Sequence, residues 1–289
     1  QTADMLCTAN LFNFVPYINW KSACYHMDGK PNDNIFEYFY EQPCHINESE
    51  IKNCYSVINA HGKQSLIPRI DKLGYIQDEK RIMAMNKAVN RFMLLNEKTK
   101  TNITFSINDL LEKKKTLAVH IRTGMNINNC PYHPVGVDIC EHIDAAKTAV
   151  KKFGFEKIFI AADDNDAVTA FKKTFGKMAV YYDDVIRVSG EKKDLFFLTN
   201  DLDGTRKDHK FKMGFEVLRD VYTMAACEGI VAGLSNPPIC AAYINGGKYE
   251  HTNFIYKGIY GHDIPIPKDK RIKKLHKHLT NKYKYKILK

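Results

Sequence analysis

Several familiar signatures are missing from this 289-residue sequence. It has no Gly-x-Gly-x-x-Gly run and no Gly-x-x-x-x-Gly-Lys-Ser/Thr run, which removes a dinucleotide fingerprint and a P-loop. No Gly-x-Ser-x-Gly elbow occurs. The eight cysteines form no Cys-x-x-Cys pair, and no tight Cys/His cluster has zinc-finger spacing, which argues against a structural metal. No apolar run reaches the roughly 18 residues of a membrane-crossing helix, and no signal peptide is visible. The chain begins with Gln, so a removed targeting or anchoring segment stays open. Both a cytoplasmic, membrane-associated location and a Golgi lumen fit.

What is present is the composition of a globular protein, with 44% hydrophobic and 26% charged residues. This length allows one large domain or two of about 150 residues. The formal charge of +10 is unevenly placed. Residues 268–289 hold ten Lys or Arg against the single acid Asp269, and the remainder is nearly neutral. Such a tail suits anionic lipid or polyphosphate, or is only a solvated helix. Tyr283 and Tyr285 among its lysines admit nucleic acid, but no recognised nucleic-acid module accompanies them. Cys7 and Cys227 lie in apolar stretches and read as buried free thiols, whereas Cys24, Cys44 and Cys54 read as more exposed. Asn47-Glu48-Ser49 and Asn102-Ile103-Thr104 are glycosylation acceptors in a secretory setting.

Along the chain, Val15 to Trp20 reads as a short strand, Tyr75 to Asn96 as a helix and Ser106 to Lys114 as another. The pattern sharpens after that. Apolar strands are expected at Thr116–Ile121, Lys157–Ala162, Met178–Tyr182 and Gly229–Gly233. Helices are expected at Ile139–Phe153, Asp164–Phe175, Gly214–Ala226 and from Pro238. Continuous apolar strands alternating with helices predict a parallel sheet covered on both faces. Ligands bind such sheets beyond the carboxyl ends of the strands. Arg122 follows one strand, Asp163 and Asp164 the next, and Ser235 and Asn236 a later one.

Each of these residue types suits an anionic nucleotide. Arg122 offers a planar fork that grips two phosphate oxygens; its alternative is an ion pair with an acid such as Asp163. His120 points to the same side of the strand as Arg122 and either assists it or packs in the core. Of Asp163 and Asp164, one is free to face the crevice while the other caps the following helix. Asp220, in an apolar helical stretch, needs a partner, whether a backbone N–H, Arg122 or a sugar hydroxyl. Ser235, Asn236 and the helix opening near Pro238 suit a phosphate or form an ordinary cap. Asp201-x-Asp203 has metal-site spacing but sits in a polar stretch and reads as a loop. The polar loop from Gly124 to Gly136, with Asn126, Asn128, Asn129, Cys130, Tyr132 and His133, reads as an acceptor-side rim.

Together these residues resemble the GDP-fucose-dependent fucosyltransferases that form α1,2 and α1,6 linkages. His120-Ile121-Arg122-Thr123-Gly124 is similar to their His-x-Arg-Arg motif, and Tyr132-His133-Pro134 to the aromatic-His-Pro that follows it. Ile158 to Asp164 resembles their strand ending in paired aspartates. Arg219-Asp220-Val221 and Ile230 to Asn236 resemble the last donor block. Phe14 to Trp20, with Asn34 to Tyr40, resembles an N-terminal signature.

The resemblance implies an α/β fold of the GT-B type with two Rossmann-like domains. Residues 1–114 would form the acceptor side, 115–267 the donor domain and 268–289 the basic tail. It implies an inverting, metal-independent transfer of fucose from GDP-fucose, the donor substrate, to a glycan hydroxyl, with no cofactor. Arg122 would grip the β-phosphate, with His120, Asp163 and Asp164 around the nucleotide. Asp220 would hold donor or arginine, and Ser235 and Asn236 would contact phosphate. Two departures stand out. Thr123 replaces the second arginine, and no acid stands between Arg122 and Tyr132. The general base is therefore open among His133, Asp138 and Glu141. Donors such as GDP-mannose or a UDP-sugar, and a catalytically inactive glycan- or nucleotide-binding homologue, remain the rival readings.

Overall fold

The computed structural model of the chain describes residues 2–21, 25–44, 46, 48–54, 74–122, 134–189 and 206–258. His133, Thr123, most of the Gly124–Gly136 loop, Asp201, Asp203, Cys24, Cys130 and the basic tail lie outside them. The described residues fall into two compact units, one drawn from 2–20 and 34–96, the other from 21–33 and 97–258. The break at 96/97 lies about one helix earlier than the sequence boundary near Lys113 to Lys115.

The first unit holds α1 (Thr2–Phe12), α2 (Phe36–Phe39), α3 (Glu48–Ile51), α4 (Gly74–Gln77) and α5 (Glu79–Phe92). Helix α5 starts at Asp78, whose side chain accepts from the Arg81 N–H. Its Ile82, Met85, Val89 and Phe92 are buried at helical spacing. Cys7 is buried, with Sγ 3.3 Å from the Ala84 carbonyl oxygen.

The strand expected at Val15 to Trp20 is not formed. Side chains take the place of a ladder there. Ile18 N–H donates to Gln42 Oε1 and Trp20 N–H to Asn34 Oδ1, while the Ile18 carbonyl accepts from Gln42 and Asn34. With the backbone satisfied in this way, no partner strand is needed. Among the described residues this unit has only the isolated bridge Tyr40–Leu95, so the sheet of a second Rossmann-like domain is not seen in them.

The second unit opens with α6 (Glu97–Leu111) and continues through β1 (Thr116–Ile121), α7 (Ile139–Phe153), β2 (Lys157–Ala162), α8 (Asn165–Phe175), β3 (Ala179–Val180), α9 (His209–Ala226), β4 (Gly229–Gly233), α10 (Asn236–Asn245) and β5 (His251–Ile255). The five strands form one parallel sheet in the order β3-β2-β1-β4-β5. Chain order reverses between β1 and β4, where a doubly wound sheet opens its crevice.

Strand alternation distributes two cores. Leu117, Val119, Ile121, Ile158 and Ile160 pack with Ala146, Ala149, Val168 and Phe171 from α7 and α8. Ala118, Phe159, Ala161, Ile230 and Ala232 pack with Leu111 of α6, Val221 and Met224 of α9, and Ala241 of α10. Each fully buried large side chain contributes about 1.5–3 kcal/mol. Gly229 is demanded by packing, since a Cβ there would stand 2.5 Å from Phe155 Cζ. Cys227 is buried and free, Cys44 half-buried and Cys54 exposed. No helix among the described residues is long and apolar enough to cross a membrane.

Candidate functional site

The carboxyl ends of β1 and β4 gather the polar groups. Arg122 is the first residue beyond β1 and is exposed. His120 pairs in register with Ala232 of β4 and keeps only 9% of its surface open. Its Nδ1 is enclosed and has no hydrogen-bond partner. Burial, then the nearby Arg122 guanidinium and His142, push its pKa down to about 3, so the ring is neutral. Beyond β4, Ser235 is the N-cap of α10, yet its side chain makes no capping bond, and its Oγ is enclosed without a partner. Enclosed polar atoms without partners are uncommon and mark places where water or a ligand belongs.

One expectation is corrected here. The helix was expected to open near Pro238 with several free N–H groups. It opens at Asn236, so Pro237 and Pro238 occupy its second and third positions. Neither proline has an N–H. The Ile239 N–H already donates to the Ser235 carbonyl, which leaves the Asn236 N–H as the first-turn donor. Any anion contact at this end therefore relies on Ser235, Asn236 and the loop before them.

The same end of the sheet carries the start of α7. Asp138 and Glu141 form a reciprocal capping box, and Lys257 lies 2.8 Å from Glu141 and 3.7 Å from Asp138. The hydrogen bond and charge of Lys257 hold the Glu141 carboxyl below its ordinary range, which weakens it as a base. His142, one residue on, is 1% exposed. Its Nδ1 is 3.0 Å from the Asp138 carbonyl oxygen and its Nε2 is enclosed without a partner. The sequence reading passed over it, although His142 shares the apolar stripe of Ile139, Ile143 and Ala146.

Beyond β2 the two aspartates part company. Asp164 is fully buried and its carboxylate accepts from the Asp166 N–H at 2.8 Å, capping α8. Asp163 is half-buried, and its carbonyl accepts from the Val188 N–H.

A charged cluster lies alongside. Buried Arg187 donates to the carbonyls of Ala162, Tyr182 and Val185. Arg219 pairs with Asp184 and lies 3.8 Å from the Tyr182 ring centroid. Arg206 grips Glu216 at 2.6 and 3.0 Å. Half-buried Asp220 stands within their field. Burial pushes its carboxyl up to about 7, against the pull of Arg187 and Arg219. The cations that act on it are Arg187 and Arg219. A cavity of about 590 Å³ flanks this cluster between α6 and β3, lined by residues that include Phe105, Tyr181, Asp184 and Arg219. It lies at the β3 edge of the sheet rather than at the β1/β4 crevice.

No protein-family model matches the chain, and no curated protein matches it. Solved structures do. NodZ, an α1,6-fucosyltransferase co-crystallised with GDP, is 14% identical, with 84% of this chain and 85% of that one aligned at a TM-score of 0.50. NodZ from Bradyrhizobium aligns over the same shares at 13% identity and a TM-score of 0.49. POFUT1 in its apo form is 10% identical over 60% of this chain and 49% of that one, with a TM-score of 0.37. At this identity the likeness is one of fold: the chain is an α/β protein with the fold of NodZ.

Proposed function

We propose that the chain is a nucleotide-sugar glycosyltransferase that transfers fucose from GDP-fucose to a glycan hydroxyl. One observation carries this reading. Exposed Arg122, the enclosed and unpartnered Ser235 Oγ and neutral His120 all belong to the carboxyl ends of β1 and β4, where strand order reverses. That constellation suits a diphosphate, because a guanidinium fork, a hydroxyl and a neutral imidazole supply donors without further acids.

In the proposed step an acceptor oxygen forms a bond to C1 of fucose as the C1–O bond to GDP breaks. The configuration at C1 inverts. The acceptor proton passes to a base, and the charge left on GDP is stabilised by Arg122, Ser235 and Asn236. Asp220 holds the donor from the α9 side. Asp138 and Glu141, the capping box of α7, are base candidates along with His133, and Lys257 is close to both carboxylates.

A second reading, donor binding without transfer, is favoured by one feature. Arg187, Arg206 and Arg219 are all committed to protein acceptors, so none of them takes the place of the arginine missing at Thr123.

The test follows GDP release from GDP-fucose in the presence of mixed glycan acceptors. Transfer by the wild type and its loss in a folded Arg122→Ala protein support the first reading. Binding of GDP-fucose with neither transfer nor hydrolysis supports the second. Undiminished turnover in Arg122→Ala overturns the site.

A further inference from the structure

The cavity of about 590 Å³ beside β3 has no part in the proposed transfer. Its volume falls within the roughly 300–1,000 Å³ that holds a small ligand. Helix α6 supplies Phe105 and Asp109, four residues apart and so on one face, with Ser106 next to them. The chain leaving the carboxyl end of β3 supplies Tyr181 to Asp184. Lys172 of α8 and Arg219 of α9 complete the charged groups of the lining, and all of these residues belong to the second unit.

The charges decide against an ionic ligand. A ligand cation seeks the open face of an aromatic ring. The Tyr181 ring centroid already has Lys172 at 5.3 Å and Arg187 at 5.1 Å, and that of Tyr182 has Arg219 at 3.8 Å. The protein's own cations hold those faces and repel another. A ligand anion meets the carboxylates of Asp109, Asp183 and Asp184. Of the cations in the lining, Arg219 is committed to Asp184 at 3.1 Å, and Lys172 lies 3.3 Å from the Tyr181 hydroxyl.

What stays open is an apolar face with donors and acceptors around it. Phe105 is 71% exposed. Asp109 and Asp183 are exposed and carry no ion pair among the described residues, so both are free to accept. The Tyr181 oxygen accepts from Lys172, which leaves its own O–H to donate. Arg219 is only 6% exposed, and its Nε–H is enclosed without a partner, the mark of a place where water or a ligand belongs. A sugar ring matches this set. It has a face of C–H groups, and each of its hydroxyls both donates and accepts.

We propose that this cavity binds a neutral oligosaccharide, with a sugar ring on Phe105 and hydroxyls on Asp109, Asp183 and Tyr181. The site is separate from the β1/β4 crevice and does not rest on the donor reading. In a transferase it raises the local concentration of glycan acceptors on the donor unit.

The experiment titrates neutral cellotetraose, mannotetraose and chitotetraose into the full chain, by calorimetry and by backbone amide spectra. Deacetylated chitotetraose, which is cationic, and anionic tetragalacturonate serve as charged counterparts. At least one neutral tetrasaccharide is expected to bind at millimolar concentration, more tightly than either charged one, and to shift the amides of Phe105, Asp109 and Asp183. Phe105→Ala and Asp183→Ala alter exposed residues, so thermal melts are expected to stay close to the wild type. Each is expected to weaken the glycan roughly tenfold and to leave GDP titration unchanged.

No binding of any neutral tetrasaccharide at millimolar concentration overturns the proposal. So do tighter binding of a charged form, shifts confined to Arg122 and Ser235, or undiminished glycan binding by either variant. Glycan binding without GDP binding removes the donor reading and leaves this site standing; GDP binding without glycan binding does the reverse.

Discussion

Asp220 offers a sharp test of how charge is arranged in the cluster of Arg187, Arg219 and Asp184, through the variant Asp220→Asn. Its carboxyl is raised to about 7 in the fold, mainly by burial. In the unfolded chain it titrates near about 3.9. A carboxyl with a raised folded value binds its proton more tightly when folded. Its favourable contribution is complete below about pH 4 and is lost as pH rises through about 7. The full gap corresponds to about 4 kcal/mol at pH 8, and solvent reaching this half-buried residue lowers that to about 2 kcal/mol at the lower bound.

Asparagine mimics the neutral acid at every pH. Asp220→Asn is therefore expected to match the wild type near pH 4 and to exceed it by about 2–4 kcal/mol at pH 8. Urea unfolding at pH 4.5, 6, 7 and 8 reads this directly. Under the proposal that Asp220 holds the donor, the same variant is expected to bind GDP-fucose more weakly. A stability difference that is flat with pH, or that grows as pH falls, refutes the reasoning.

Three further expectations follow from particular contacts. His120, with a folded value of about 3 against about 6.5 unfolded, has the opposite sign: stability is lost as pH falls from about 6.5 toward 3, and His120→Asn flattens that limb in a thermal-melt series. Gly229→Ala drives a methyl into Phe155 and is expected to cost about 1–3 kcal/mol in urea unfolding, with Phe155→Leu restoring part of it. Removing one side of the Arg206–Glu216 fork by Glu216→Ala leaves a half-buried guanidinium without its carboxylate, and is expected to cost about 3 kcal/mol, measured the same way.

The central sheet was legible because its strands are unbroken apolar runs. Thr116–Ile121, Lys157–Ala162 and Gly229–Gly233 appear where their composition placed them, and Asp138 and Gly154 mark the ends of α7 as capping chemistry predicts. Strand β5 went unseen because His251-Thr252-Asn253 is polar, as befits a strand at the edge of the sheet. The segment at Val15 to Trp20 misled because side-chain amides from Asn34 and Gln42, distant in sequence, replace the ladder that its composition suggested.

At the site, spacing placed Arg122 and Ser235 beyond strand ends and His120 within the last two residues of β1. It gave less guidance on direction. Asp164 turned to its own helix, and the Asp220 surroundings depend on Arg187, which reaches three carbonyls from a loop. Pro237 and Pro238 could have been read correctly from the start, because no proline offers an N–H wherever the helix begins. His142 has a visible position on the apolar stripe of α7, but only the fold brings it to the end of β1.

The most direct test of the account is calorimetric titration of GDP-fucose, GDP-mannose and UDP-galactose into the wild type and Arg122→Ala, without added metal. The account predicts binding of GDP-fucose in preference to the other two, weakened by roughly tenfold or more when Arg122 is removed. Equal binding of GDP-fucose by both proteins, or binding of none of the three by the wild type, would contradict a donor site at the end of β1.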